Sequence, residues 1–166
     1  ARAWAGVAEA NVLLPLYGDT PPAEVFPRAI AAAARALALD DELAEAHASL
    51  AYTRFVFDWD WEAAERGLER AIDLEPGYPT AHQWYAFLLA ALGRHDEALE
   101  RADRAVELDP LSLVIRSDRA LTLCFARRFE EAIAGFEEAL ELDAQFPYAH
   151  FGLALAYGEV GRHGEA

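Results

Sequence analysis

The chain repeats itself every 34 residues, and that period governs what it can fold into. Leu74-Glu75-Pro76 returns as Leu108-Asp109-Pro110 and as Leu142-Asp143-Ala144, each 34 residues on, while Leu39-Asp40-Asp41 precedes the first by 35. Ala71, Ala105 and Ala139 keep the same step, with Ala36 one residue further out. At twice the period, Pro79-Thr80-Ala81-His82 returns as Pro147-Tyr148-Ala149-His150, and Gly93-Arg94-His95-Asp96-Glu97-Ala98 as Gly161-Arg162-His163-Gly164-Glu165-Ala166. Several independent matches at one period mean stacked equivalent units, each too small to bury its apolar face alone.

Each unit carries two helical patterns. Residues 79–92 are dominated by apolar and small side chains, and Gly93 ends the run as a glycine does at a helix C-terminus. In 96–108, Ala98, Leu99, Ala102, Ala105, Val106 and Leu108 recur at helical spacing with charges between them, and Pro110 stops the helix. No stretch alternates apolar and polar long enough to read as a strand. The unit is therefore helix, turn, helix, turn.

With a glycine between the helices, alanines at helix contact points and Leu-Asp-Pro at the end, these units resemble the tetratricopeptide repeat. The resemblance implies an all-α, right-handed superhelical solenoid of about nine helices, in one array with units at 1–43, 44–78, 79–112, 113–146 and a partial unit at 147–166. The copies also resemble repeat arrays attached to bacterial kinases and transcriptional regulators. The unit at 113–146 has Arg127 in place of the glycine between the helices and Ala144 in place of the final proline. The unit at 44–78 has one extra residue near Asp58-Trp59-Asp60-Trp61, and the first unit about nine extra in 14–24, whose Pro, Gly and Asp read as a loop. The absence of any Met and the break within the last unit are those expected of a piece cut from a larger protein.

Packing needs small residues where helices approach closely. Ala51, Ala86, Ala120 and Ala154 share one place in first helices, and Ala64, Ala98 and Ala132 one place in second helices. A larger side chain there would cost about 1–3 kcal/mol. Leu50, Tyr85 and Leu153, with Leu68 and Phe136, fill the gaps.

The resemblance implies that first helices line a concave groove. Its places are held by Tyr52, Phe55, Gln83, Phe87, Ser117, Leu121, Phe125, Phe151 and Leu155, an apolar and aromatic set. Some family members grip a peptide's C-terminal carboxylate with Lys, Arg and Asn. Here those places hold Glu45, Tyr52, Trp84 and Val114, so that clamp is absent. Such a groove suits an amphipathic helix or an extended apolar segment anchored by aromatic rings; the same residues equally suit packing against a neighbouring helix or domain. Leu153, Ala156 and Tyr157 form a further expected surface, an apolar edge left uncovered by the missing helix of the last unit and open to pairing with a second copy.

Composition narrows the partners. The net charge of −15 opposes binding to nucleic acid, because phosphate contacts need clustered Lys and Arg. No uncharged apolar run approaches the length of a membrane span, and no N-terminal pattern reads as a secretion signal. One Cys excludes a disulfide framework, and the expected setting is cytoplasmic.

Chemistry-bearing residues read as structural. His47, His82 and His150 occupy one place in three units, too far apart to converge on one metal ion, and suit repeated packing or capping. His95 and His163 share another place and suit packing. In Asp58-Trp59-Asp60-Trp61, Asp60 caps a helix starting near Trp61 while the indoles cover the turn. Cys124 has no general base in view. The pairs Glu97/Glu100 and Glu137/Glu141 sit on solvated faces, where acid–base catalysis gains nothing. The expected function is therefore non-catalytic, a scaffold that binds a protein or peptide and uses no metal or cofactor; the alternative is a regulatory or self-association module.

Overall fold

The computed structural model describes residues 1–162, the side chains of Leu16 and Tyr17 excepted. The repeat match at His163, Gly164, Glu165 and Ala166 lies outside the described residues. Among those described there are nine α-helices and no strand: α1 (Arg2–Tyr17), α2 (Pro22–Leu39), α3 (Ala44–Thr53), α4 (Trp61–Leu74), α5 (Pro79–Ala91), α6 (His95–Leu108), α7 (Leu113–Phe125), α8 (Phe129–Leu142) and α9 (Pro147–Glu159).

Recurring residues make recurring ends. The carbonyls of Ala36, Ala71, Ala105 and Ala139 accept from the backbone N–H of Asp40, Glu75, Asp109 and Asp143, closing every second helix in the same way. The turns inside the units at Trp59, Gly93, Arg127 and Gly161 are spaced 34 apart and all left-handed, with φ of 58°, 76°, 60° and 76°. Starts differ more. Asp60 caps α4 by accepting from the Ala63 N–H at 3.1 Å, and Ser112 caps α7 by accepting from Ile115. At α6 and α8 the residue before the helix is Arg94 or Arg128, which grips the Glu97 or Glu131 carboxylate through two nitrogens. Those hydrogen bonds hold both carboxyls below the usual carboxylate range.

Two sequence expectations change. The nine-residue excess at 14–24 is not a loop of that length: α1 runs through Pro15 to Tyr17 and α2 opens with Pro22 in its first turn, leaving only residues 18–21 as connection. Packing of α1 on α2 and α3 overrides the local proline signal. The extra residue of the second unit is absorbed by a π-helical turn, Arg54–Asp58, at the end of α3. A wider turn of this kind takes in one residue without ending the helix.

The chain divides into two compact units, Ala1–Leu88 and Leu89–Ala166, the division falling inside α5. In the first, α1, α2 and α3 pack on one another and α4 packs on α3. Val12, Val25, Ala33 and Leu68 are fully buried, and Phe26 meets Phe57 edge-on at 5.4 Å. The small residues stand where helices touch: a Cβ on Gly67 of α4 would come within 2.8 Å of the Ala51 Cβ of α3. Tyr85 shares its hydroxyl proton between Glu65 and Glu69 of α4, at 2.9 and 3.2 Å.

In the second unit, α7 packs on α6 and α8, and α9 packs on α8 and touches α7. Leu99, Leu123, Ile133, Phe136 and Tyr157 form its core with Ala120, Ala132, Ala139, Ala149 and Ala156. The Phe136 ring lies so close to Gly152 that a Cβ there would be 2.3 Å away. The edge expected to be open is filled: Ala156 and Tyr157 are buried and Leu153 packs against the same cluster. Tyr157 turns into the core and donates to Glu137 of α8 at 3.1 Å.

Candidate protein-interaction surface

The histidines serve the turns between repeats. Nε2 of His47, His82 and His150 lies 2.9, 3.1 and 2.9 Å from the backbone carbonyls of Asp41, Pro76 and Ala144, each six residues upstream. A carbonyl only accepts, so Nε2 carries the proton. Arg116 takes the equivalent place in the unit at 113–146 and donates through Nε to the Pro110 carbonyl at 2.6 Å. Four side chains thus fix four turns, and Arg116 is one that sequence reasoning missed because it shares no chemistry with histidine beyond the N–H. Among the described residues no group of His, Cys, Asp or Glu could hold a metal ion.

In the first unit, two of the groove residues, Tyr52 and Phe55, meet each other. Tyr52 is buried, with its ring centroid 4.6 Å from Trp84 and 6.1 Å from Phe55. Phe55, Gln83 and Phe87 are half-buried. Glu45, at a clamp position, lies near Glu9 of α1. Burial raises the Glu9 carboxyl above its ordinary value, the Tyr78 hydroxyl partly offsets this from 3.5 Å, and the Glu45 charge adds repulsion.

In the second unit, the places separate into two kinds. Ser117 is fully buried and is a packing residue rather than a groove contact, because its place on α7 turns inward. Its neighbour Asp118 is also buried and accepts from the Tyr148 hydroxyl of α9 at 2.6 Å, a cross-helix bond with no signal in the spacing. Leu121 is half-buried. Phe125 is 48% exposed, Phe151 61% and Leu155 46%. Phe151 and Leu155 are one turn apart on α9, on the same face as Glu159.

The chemistry of this surface is passive. Burial, with a smaller contribution from the Glu159 charge, pushes the Cys124 thiol up to about 11, the opposite of an activated nucleophile. Glu97, Glu100, Glu137 and Glu141 are exposed. Among the described residues no helix is long and apolar enough to cross a membrane.

Comparison with known proteins follows the repeats. Residues 60–116 match the family described as tetratricopeptide repeat and residues 128–161 the one described as TPR repeat. The chain is 39% identical over 69 residues to the TPR repeat-containing thioredoxin TTL4 of Arabidopsis thaliana, covering 42% of this chain and 10% of that protein. It is 28% identical over 97 residues to the small glutamine-rich tetratricopeptide repeat-containing protein 2 of Mycosarcoma maydis, covering 58% of this chain and 28% of that protein. It therefore spans 10% and 28% of the length of these curated relatives. Among solved structures, TTC0263 of Thermus thermophilus, described as a thermophilic TPR protein, superposes with a TM-score of 0.80 at 20% identity, over 98% of this chain and 85% of that one. MamA superposes at 0.66 and 20% identity over 90% and 89%. YrrB, described as a TPR protein with an unusual peptide-binding site, superposes at 0.62 and 21% identity over 96% and 78%. These likenesses show the fold, a solenoid of helix–turn–helix repeats.

Proposed function

Because the chain belongs to the tetratricopeptide-repeat family, we propose that it is a non-catalytic scaffold whose first helices hold a segment of another protein. The observation that carries this reading is the set Phe125, Phe151 and Leu155. Large apolar side chains stand in solvent on α7 and α9, helices in contact with each other, while the packing residues beside them are buried. Exposed aromatic and aliphatic anchors on adjacent helices suit the apolar face of an amphipathic helix or an extended apolar segment. Phe55, Gln83 and Phe87 offer a smaller surface of the same kind within the first unit. Tyr52 supports it from below, and Ser117 is not part of it. The peptide-binding description of YrrB supports the same class of partner. The net charge of −15 opposes a nucleic-acid partner.

The test is recovery of a partner on the immobilised chain, followed by calorimetric titration of the segment recovered. Phe151→Ala and Leu155→Ala each remove an exposed anchor and are expected to weaken binding about tenfold or more. Leu111→Ala, on an exposed turn, is expected to leave affinity unchanged. Equal binding by the wild-type, Phe151→Ala and Phe125→Ala chains would move the binding face elsewhere.

A further inference from the structure

Trp59 stands where the chain elsewhere places Gly93, Arg127 or Gly161, in a left-handed backbone conformation that a side chain disfavours. Its indole is 72% exposed, so burial does not account for its presence. The ring stacks on Trp61 with centroids 6.2 Å apart and planes inclined by 28°. Trp61 is in turn fixed at the first position of α4 by the Asp60 cap. The result is a pair of stacked indoles with Asp58 before Trp59 and Asp60 after it in the chain, both exposed.

The equivalent turn of the repeat at 113–146 shows what such a place can hold. Arg127 occupies the place of Trp59, Phe129 that of Trp61, and the Arg127 guanidinium lies 5.3 Å from the Phe129 ring centroid. There the cation comes from the chain itself. At Trp59 an exposed indole, with an aspartate on either side of it in the chain, stands in the cation's place. We infer that Trp59, Trp61, Asp58 and Asp60 form a second recognition site, made of residues other than those of the proposed scaffold surface, that takes an arginine side chain from a basic segment of a partner protein. Indole is the strongest of the aromatic faces for a cation, guanidinium is planar and stacks on it, and the aspartates supply the opposite charge.

The experiment titrates the 166-residue chain with a capped peptide carrying three arginines, and with the same peptide carrying citrulline, which keeps the shape and removes the charge. The arginine peptide is expected to bind weakly and salt-sensitively and the citrulline peptide to show no heat. Trp59→Gly is expected to weaken binding by about fivefold while melting at or above the wild-type temperature, since strain is relieved. That combination separates a binding residue from a structural one. Trp59→Phe keeps a ring and retains part of the affinity; Asp58→Asn loses a few-fold. Glu141→Gln, exposed on α8, controls for general attraction to an acidic chain and is expected to have no effect. Equal binding of the citrulline peptide, unchanged affinity in both Trp59→Phe and Asp58→Asn, or a loss in the α8 variant as large as that in Asp58→Asn overturns the site.

Discussion

Arg127 holds a backbone conformation that its own Cβ opposes, with φ at 60°. The strain is about 1–2 kcal/mol, against about 0.5–1 kcal/mol for an exposed guanidinium over the Phe129 ring. The strain is the larger, so Arg127→Gly is expected to raise stability by up to about 1 kcal/mol in urea unfolding. Gly152 presents the converse case. A methyl group there meets the Phe136 ring at 2.3 Å, and Gly152→Ala is expected to cost about 1–3 kcal/mol through overpacking, read as a lowered melting temperature. These residues differ in how far the sequence discloses them. Arg127 is visible as a substitution in the 34-residue register. Trp59 belongs to the same register, but the extra residue just before it conceals the match. Gly152 replaces the Trp84 of an earlier unit, and what permits that exchange is the neighbouring ring of Phe136, which no spacing records.

At the scale of helices, the hydroxyl of Tyr85 ties α5 to α4. Burial raises its pKa, and the hydrogen bonds and charges of Glu65 and Glu69 raise it further. A folded value above the unfolded one, about 10, means that the contribution to stability is fully present below about pH 10 and is lost as pH rises through the folded value. Tyr85→Phe is therefore expected to flatten the alkaline fall in melting temperature without abolishing it, because burial raises Tyr78 in the same direction. The existence and order of the helices were legible from apolar spacing and terminal glycines. Their ends were not always so: Pro15 reads as a breaker, yet α1 passes through it because burial against α2 and α3 outweighs one lost hydrogen bond.

For the molecule as a whole, 29 acidic residues face 14 arginines. Exposed pairs such as Arg94–Glu97, Arg104–Glu107 and Arg128–Glu131 add little to stability, because solvent screens them. Screening weakens both these pairs and the repulsion among the unmatched carboxylates, and the latter outnumber the former. Added sodium chloride is thus expected to raise the melting temperature in calorimetry; a fall would show that the local pairs dominate. Charge and the apolar character of the candidate surface were readable from composition and register together. The burial of Ser117 and the Asp118–Tyr148 bond were not, since both depend on how far each helix is rotated about its own axis. The π-helical turn at Arg54–Asp58 has a last consequence. It behaves as a dislocation does in a crystal, confining a fault of one lattice step to a few atoms so that order resumes beyond it. A lineage of such chains can gain or shed a residue there without rewriting any later repeat.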